Sequence, residues 1–180
     1  MPRPCRRPLL IAPLVLLVPL AGCADGPFGP ERDELRDNLR RWQSRAPASY
    51  RYVYEASCFC GPAPTEPVEV VVVDGEVRSV TSVATGEPAR PALPGGDPDG
   101  LEALTIQGLF AFLLESLEGD PASFRATYDA GLGYPRSAFV DFRARVADEE
   151  FGFEARGLAP LAASDVAPEA RAVRTPGGAP

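Results

Sequence analysis

Tyr50-Arg51-Tyr52-Val53-Tyr54-Glu55, followed by Val68-Glu69-Val70-Val71-Val72-Val73-Asp74-Gly75-Glu76, is the stretch that decides the fold class. In its first segment large apolar rings alternate with other residues at a period of two, which is the repeat of a β-strand with one face turned to a core. Three phenols therefore share one face. They suit a half-buried strand whose rings pack under a helix while the hydroxyls reach water, and a tyrosine ladder can also hold an extended ligand. The valine run is apolar on both faces, which places it centrally in its sheet. Asp74-Gly75 is a two-residue hairpin signal, so residues 76–83 return as the next strand.

Upstream, residues 31–45 read as a helix in which Leu35, Leu39 and Trp42 recur at i, i+4 and i+7. The stripe is narrow, Trp42 is its main anchor, and Asp37 is placed to pair with Arg41 one turn on. Downstream, residues 85–100 form a long loop. Its Asp97-Pro98-Asp99-Gly100 faintly resembles the start of a calcium loop, but Glu102 and Gly108 stand where such a loop needs glycine and glutamate. Thr105 is a plausible N-cap for a second helix, in which Ile106, Leu109, Phe110, Leu113, Leu114 and Leu117 form one broad stripe. Phe112 lies nearly opposite that stripe, as a flank residue or an exposed contact. Gly119-Asp120-Pro121 ends the helix, and strands are expected at 123–128, 137–146 and 150–158, with Asp148-Glu149-Glu150 as a solvated turn. The expectation is a single α+β domain at 31–158, an antiparallel sheet of about five or six strands with two helices packed on it, followed by a disordered tail at 159–180.

The N-terminus carries a different message. Arg3, Arg6 and Arg7 precede an apolar run from Leu9 to Leu20, and Leu20-Ala21-Gly22-Cys23 follows. The run is 12 residues long with Pro13 and Pro19 inside it, well short of the roughly 20 needed to span a bilayer as a helix. Residues 1–22 read as a lipoprotein signal peptide, Cys23 as the site of lipidation by diacylglycerol, and 23–30 as a tether. The alternative is an ordinary secretory signal that leaves Cys23 as a free thiol. Two or more acyl chains anchor stably, because each buried methylene adds about 0.8 kcal/mol.

Removing 1–22 takes away 3 of 18 basic residues and leaves 25 acidic ones, for a mature net charge of −10. That disfavours nucleic acid as a partner and leaves the lipid on Cys23 as the contact with the membrane. All 18 basic residues are arginine, with no lysine and no histidine. The chain thus lacks an imidazole for general base work near neutral pH, a Schiff-base amine and a histidine metal ligand.

Two constellations carry chemistry. With Cys5 leaving in the signal and Cys23 lipidated, Cys58 and Cys60 are each other's only partners within the chain. Residues i and i+2 of a strand have Cα atoms about 6.5 to 7 Å apart, at the upper edge of disulfide geometry, so a bridge needs the bend that Gly61-Pro62 can supply. A structural disulfide competes here with a labile redox pair and with a thiolate site for a soft metal. The second constellation is Tyr128-Asp129, Gly133-Tyr134-Pro135 and Asp141. Two carboxylates and two phenols could converge as in glycoside hydrolysis, but Asp129 before a Gly/Pro turn is an ordinary turn residue. No catalytic residue, cofactor or metal ligand is assigned.

Taken in order, Trp42, Tyr50-x-Tyr52, Cys58-Phe59-Cys60, the valine strand with Asp74-Gly75, Leu109-Phe110, Tyr128-Asp129, Gly133-Tyr134-Pro135 and Asp141 resemble a bacterial lipoprotein family of unknown function, domain-of-unknown-function family 6174. The resemblance spans about Trp42 to Leu158. It implies export and brings no catalytic residue. The expected protein is a lipid-anchored bacterial cell-envelope lipoprotein, facing outward or periplasmic, with a non-catalytic binding or scaffolding domain for an unknown envelope protein or ligand. The alternative is thiol redox or soft-metal handling through Cys58 and Cys60.

Overall fold

In the computed structural model, which describes residues 26–59, 65–96, 100–146 and 148–162, the alternating tyrosine segment is a strand, β1 (Tyr50–Cys58). Tyr50, Tyr52, Tyr54 and Ala56 turn to one face and are buried. The valine run is β2 (Val68–Val73), antiparallel to β1 with Tyr50 opposite Val72 and Tyr52 opposite Val70. Asp74 and Gly75 take φ of 50° and 83°, the left-handed pair that a tight hairpin requires, and β3 (Glu76–Ser82) returns beside β2. The expected central position of β2 is corrected in one respect. It lies inside the sheet between β1 and β3, but Val71 and Val73 on its second face are only half-buried, because among the described residues no layer covers that side.

A helix, α1 (Gly29–Arg45), precedes this meander, and a second, α2 (Ile106–Glu118), follows it. Three more strands close the domain: β4 (Ser123–Tyr128), β5 (Pro135–Asp141) and β6 (Glu150–Pro160). The sheet order is β3-β2-β1-β6-β5-β4 and every neighbouring pair is antiparallel. The chain is a helix and a three-strand meander, made twice, with the first strand of one unit hydrogen-bonded to the last strand of the other. This is the single-domain α+β arrangement expected, with six strands.

Several boundaries differ from the sequence reading; α1 begins two residues early, at Gly29, and β3 ends at Ser82. β5 starts two residues earlier and stops at Asp141 rather than 146, because the Asp141 carboxylate accepts the Arg143 N–H at 3.1 Å and Arg145 turns left-handed at φ 71°. β6 runs on to Pro160, opposite Tyr50, and the Leu161 N–H then donates to the Ser49 carbonyl at 3.0 Å. The domain therefore continues past 158, while the rest of the expected tail, from 163, lies outside the described residues. In α1, Asp37 pairs with Arg40, not Arg41. Arg41 instead donates to Oδ1 of Asn38 at 2.9 Å, and Asn38 is itself buried and donates to the Glu34 carbonyl. Gly133 explains that burial. Its φ is 83°, and a Cβ there would lie 2.6 Å from the Asn38 carbonyl oxygen, so only glycine lets the β4–β5 turn approach α1 this closely.

The largest correction concerns the tyrosine hydroxyls and the long loop above them. Residues 91–94 are buried, with Ala92 3% and Leu93 6% exposed, and a short 3-10 turn at Leu101–Leu104 leads into α2. A chain crossing the interior between two elements must find partners for its backbone polar groups. The tyrosines provide them. Tyr54 Oη donates to the Ala92 carbonyl at 3.1 Å, Tyr52 Oη donates to the Leu104 carbonyl, and Tyr50 Oη accepts the Ile106 N–H at 2.9 Å. The expectation that these hydroxyls reach water is overturned, because the buried residues 91–94 and 104–106 lie over them. Thr105 caps α2 as expected, its Oγ1 accepting from the Gly108 N–H at 2.9 Å. Trp42 packs edge-on against Tyr50, with ring centroids 5.4 Å apart.

Two expectations follow. Tyr52→Phe keeps the ring and strands the buried Leu104 carbonyl; a loss of about 1 to 3 kcal/mol is expected in denaturant unfolding, larger than for an exposed tyrosine. Burial also pushes the Tyr50 phenol up to about 12, and those of Tyr52 and Tyr54 well upward, with the neighbouring phenols adding to the shift of Tyr52. A folded-state value above the unfolded one gives stability that is complete below about pH 10 and lost as pH rises through the folded value. Melting temperature is thus expected to fall between pH 10 and 12 together with the rise of tyrosinate absorbance, and titration of all the tyrosines near pH 10 without unfolding would contradict it.

Candidate functional site

Cys58 is the last residue of β1 and pairs with Phe151 near the start of β6. At that end of the sheet, Phe112 and Glu115 from α2 meet Phe142 from the turn after β5 and the Asp148–Phe151 segment entering β6. Together with Phe59 they line an open pocket of about 620 Å³, within the ordinary size range of small-molecule sites. Its floor is aromatic. The Phe112 ring stands edge-on to Phe151 at 5.4 Å and to Phe142 at 6.4 Å. Phe59 is 75% exposed and Phe142 38%, so two large rings at the pocket mouth face water.

The rim is acidic. Glu115, Asp148, Glu149 and Glu150 all contribute to the lining. Arg143 lies 3.5 Å from Oε1 of Glu149, the one ion pair at this rim among the described residues. Asp141 sits directly opposite Glu150 in the β5–β6 register, a like-charge arrangement that costs stability. The sequence expectation of a solvated turn at Asp148-Glu149-Glu150 needs amendment: Asp148 is exposed with φ 69°, Glu149 is ion-paired, and Glu150 already belongs to β6.

The site residues read from sequence fall as follows. Cys58 borders the pocket, whereas Cys5, Cys23 and Cys60 lie outside the described residues. Asp129 and Asp141 are not brought together. Asp129 closes the β4–β5 turn, its Oδ1 accepting from Gly131 and Leu132 at 3.0 and 2.7 Å, while Asp141 ends β5 at the far side. A strand of seven residues holds them roughly 20 Å apart, so each does turn work of its own. Tyr134 is buried against Trp42, with centroids 6.4 Å apart. Tyr128 stacks on Phe110, and burial, aided by the Glu34 carboxylate, pushes its phenol upward.

Sequence reasoning missed the pocket because its rings come from four separated segments. The one available signal was Phe112, off the main stripe of α2. It is 9% exposed because Phe142 and Phe151 cover it. Another broad open surface is the face of the sheet away from the helices, where Arg156 pairs with Glu55 at 2.8 Å and Glu154 at 3.1 Å, and Arg125 lies over Phe139. Among the described residues no group of cysteines and carboxylates is arranged to hold a metal ion, and no helix is long and apolar enough to cross a membrane.

No curated protein and no solved structure matches the chain. The model of one family, described as a family of unknown function (DUF6174), matches residues 34–160, a span that contains both three-strand units, the tyrosine ladder and the pocket. On that match the chain belongs to the family of unknown function DUF6174.

Proposed function

We propose that this is a lipid-anchored protein of the bacterial cell envelope whose α+β domain acts by binding rather than by catalysis. The observation that carries the anchor is Leu20-Ala21-Gly22-Cys23 behind Arg3, Arg6, Arg7 and a 12-residue apolar run. α1 starts at Gly29, so only residues 23–28 separate Cys23 from the folded domain. Support for binding comes from the open pocket floored by Phe112 and Phe151, together with a residue inventory that has no histidine and no lysine to serve as base or nucleophile. Asp129 and Asp141, committed to their own turns, add nothing to a catalytic reading.

One observation favours a second reading, thiol exchange or soft-metal handling: Cys58 borders the pocket. In the first reading Cys60 is its disulfide partner and the bridge holds the end of β1. The tiny closed loop gives little entropic stabilisation, so its contribution is to local shape. A thiolate reading has no lysine or histidine to draw on for lowering a thiol pKa.

The anchor is tested by Cys23→Ala. The variant is expected to lose incorporation of labelled fatty acid and to leave the membrane fraction; a variant that partitions with membranes and carries undiminished label overturns the proposal. The cysteine pair is tested by the mass of the unreduced mature protein. A bridge that survives reduced glutathione is expected, and free thiols that take up Cu(I) tightly would establish the second reading instead.

A further inference from the structure

We infer that the Cys58 end of the domain, with the exposed side chains of Phe59, Phe142 and Val146, rests in the interface of the lipid bilayer that holds Cys23. The inference rests on the anchor proposed above and adds which end of the domain meets the lipid.

The anchor leaves the fold at this end. The Phe28 ring, just before α1, stands 6.4 Å from that of Phe124 near the start of β4. Arg32 donates to the Leu117 carbonyl near the end of α2 at 3.0 Å, and β4 begins opposite Asp141, the residue before Phe142. The Gly29 N–H bonds the Gly26 carbonyl at 2.9 Å, so only residues 23–25 are left to bridge from the lipid to the fold. Three residues reach at most about 10 Å. A strand of nine residues such as β1 is roughly 30 Å long, so a tether this short keeps the Cys58 end at the bilayer whichever way the far end leans.

Apolar side chains are exposed there. Five large ones face water among the described residues, and three of them, Phe59 at 75%, Phe142 at 38% and Val146 at 45%, lie on segments that leave this end of the sheet. Phe59 continues β1, and Phe142 and Val146 belong to the turn after β5, in which the Val146 N–H donates to the Arg143 carbonyl at 3.2 Å. In the order β1-β6-β5 the two phenylalanines leave the sheet two strand spacings apart, about 10 Å. They can therefore enter one surface together.

A bilayer interface suits such a patch, since rings settle at the acyl boundary while charged groups beside them stay among the headgroups. Arg143 and Arg145 share the turn with Phe142 and Val146, and Asp148 and Glu149 follow it. With mixed signs here and a net charge of −10 once residues 1–22 are gone, the contact is apolar and anionic lipid adds nothing to it. Weak insertion suffices. A second contact on a short linker acts at an effective concentration of about millimolar, whereas a soluble partner or a second copy would have to enter a gap of only about 10 Å.

The test uses the mature lipidated chain in phosphatidylcholine vesicles, with and without lipid brominated in the upper acyl chain to quench tryptophan. Trp42, buried beside Tyr50 at the far end, is a built-in reference expected to stay unquenched. Phe59→Trp and Phe142→Trp, made separately, are each expected to add blue-shifted emission that the bromines reduce at least about twofold. Gln43→Trp, exposed on the last turn of α1, is expected to add emission that the bromines leave unchanged. With Val146→Trp as reporter, Phe59→Ser combined with Phe142→Ser is expected to cut the quenching several-fold, with an unchanged melting curve and undiminished fatty-acid label on Cys23. Unquenched emission from both phenylalanine replacements, equal quenching of Gln43→Trp, quenching that requires anionic lipid, or a blue shift that follows protein density and not brominated lipid, the mark of a second copy, would each overturn the inference. Label on Cys23 with no quenching leaves the anchor standing and removes the contact alone, whereas absence of the label removes the anchor and with it the contact that depends on it.

Discussion

Three phenol hydroxyls on one face of β1 hold the buried crossover that joins the two halves of this protein. The chain leaves β3 at one edge of the sheet and must re-enter at the opposite edge as β4, and on the path between them residues 91–94 and 104–106 are buried. Ala92, Leu104 and Ile106 would bring unpaired backbone groups with them were Tyr54, Tyr52 and Tyr50 not there to bond them. The same rings form the floor on which Trp42 of α1 stands, so one strand face supports both helices. The cost of leaving a buried carbonyl or amide unpaired makes this polar ladder a condition of the fold and not an ornament of its core.

From that constraint the position of the pocket follows. α2 starts where Tyr50 accepts from Ile106 and runs toward the opposite end of β1, where Cys58 stands. Its first turn is therefore fastened to the sheet and its later turns carry Phe112 and Glu115 over the β6 entry. β6 contributes both to the seam of the sheet and to the pocket wall, since Phe151 packs on Phe112 while lying opposite Cys58. The pocket is thus assembled from segments that the sheet order brings together: the end of β1, the middle of α2, the exit of β5 and the start of β6.

Much of this was legible beforehand, for identifiable reasons. The period of two at 50–55, the Asp74-Gly75 turn and the 106–117 stripe with its Thr105 cap are local signals, each set by the geometry of one element. They placed β1, β2, the hairpin and α2 at or within a few residues of where they lie. The failures occurred where a local signal competes with a distant partner. The tyrosine hydroxyls look as if they reach water until the buried residues above them, 91–94 and 104–106, are known. Asp37 has two arginines within reach on its helix, and burial of Asn38 decides which one it takes. The end of β5 depends on a side chain of its own turn.

The sequence by itself determined the elements, their class and the candidate membrane address at Cys23, because these depend on periodicity, turn chemistry and a short linear motif. Membership in DUF6174 is likewise a property of the linear order of residues. Only the tertiary structure decided that β1 pairs with β6, that the hydroxyls of the tyrosine ladder face a crossover and not water, and that four phenylalanines and four carboxylates share one pocket. These are relations between residues far apart in the chain. Sequence spacing carries no record of them, because they arise when hydrophobic burial and backbone hydrogen-bond satisfaction are met together in one arrangement of the sheet.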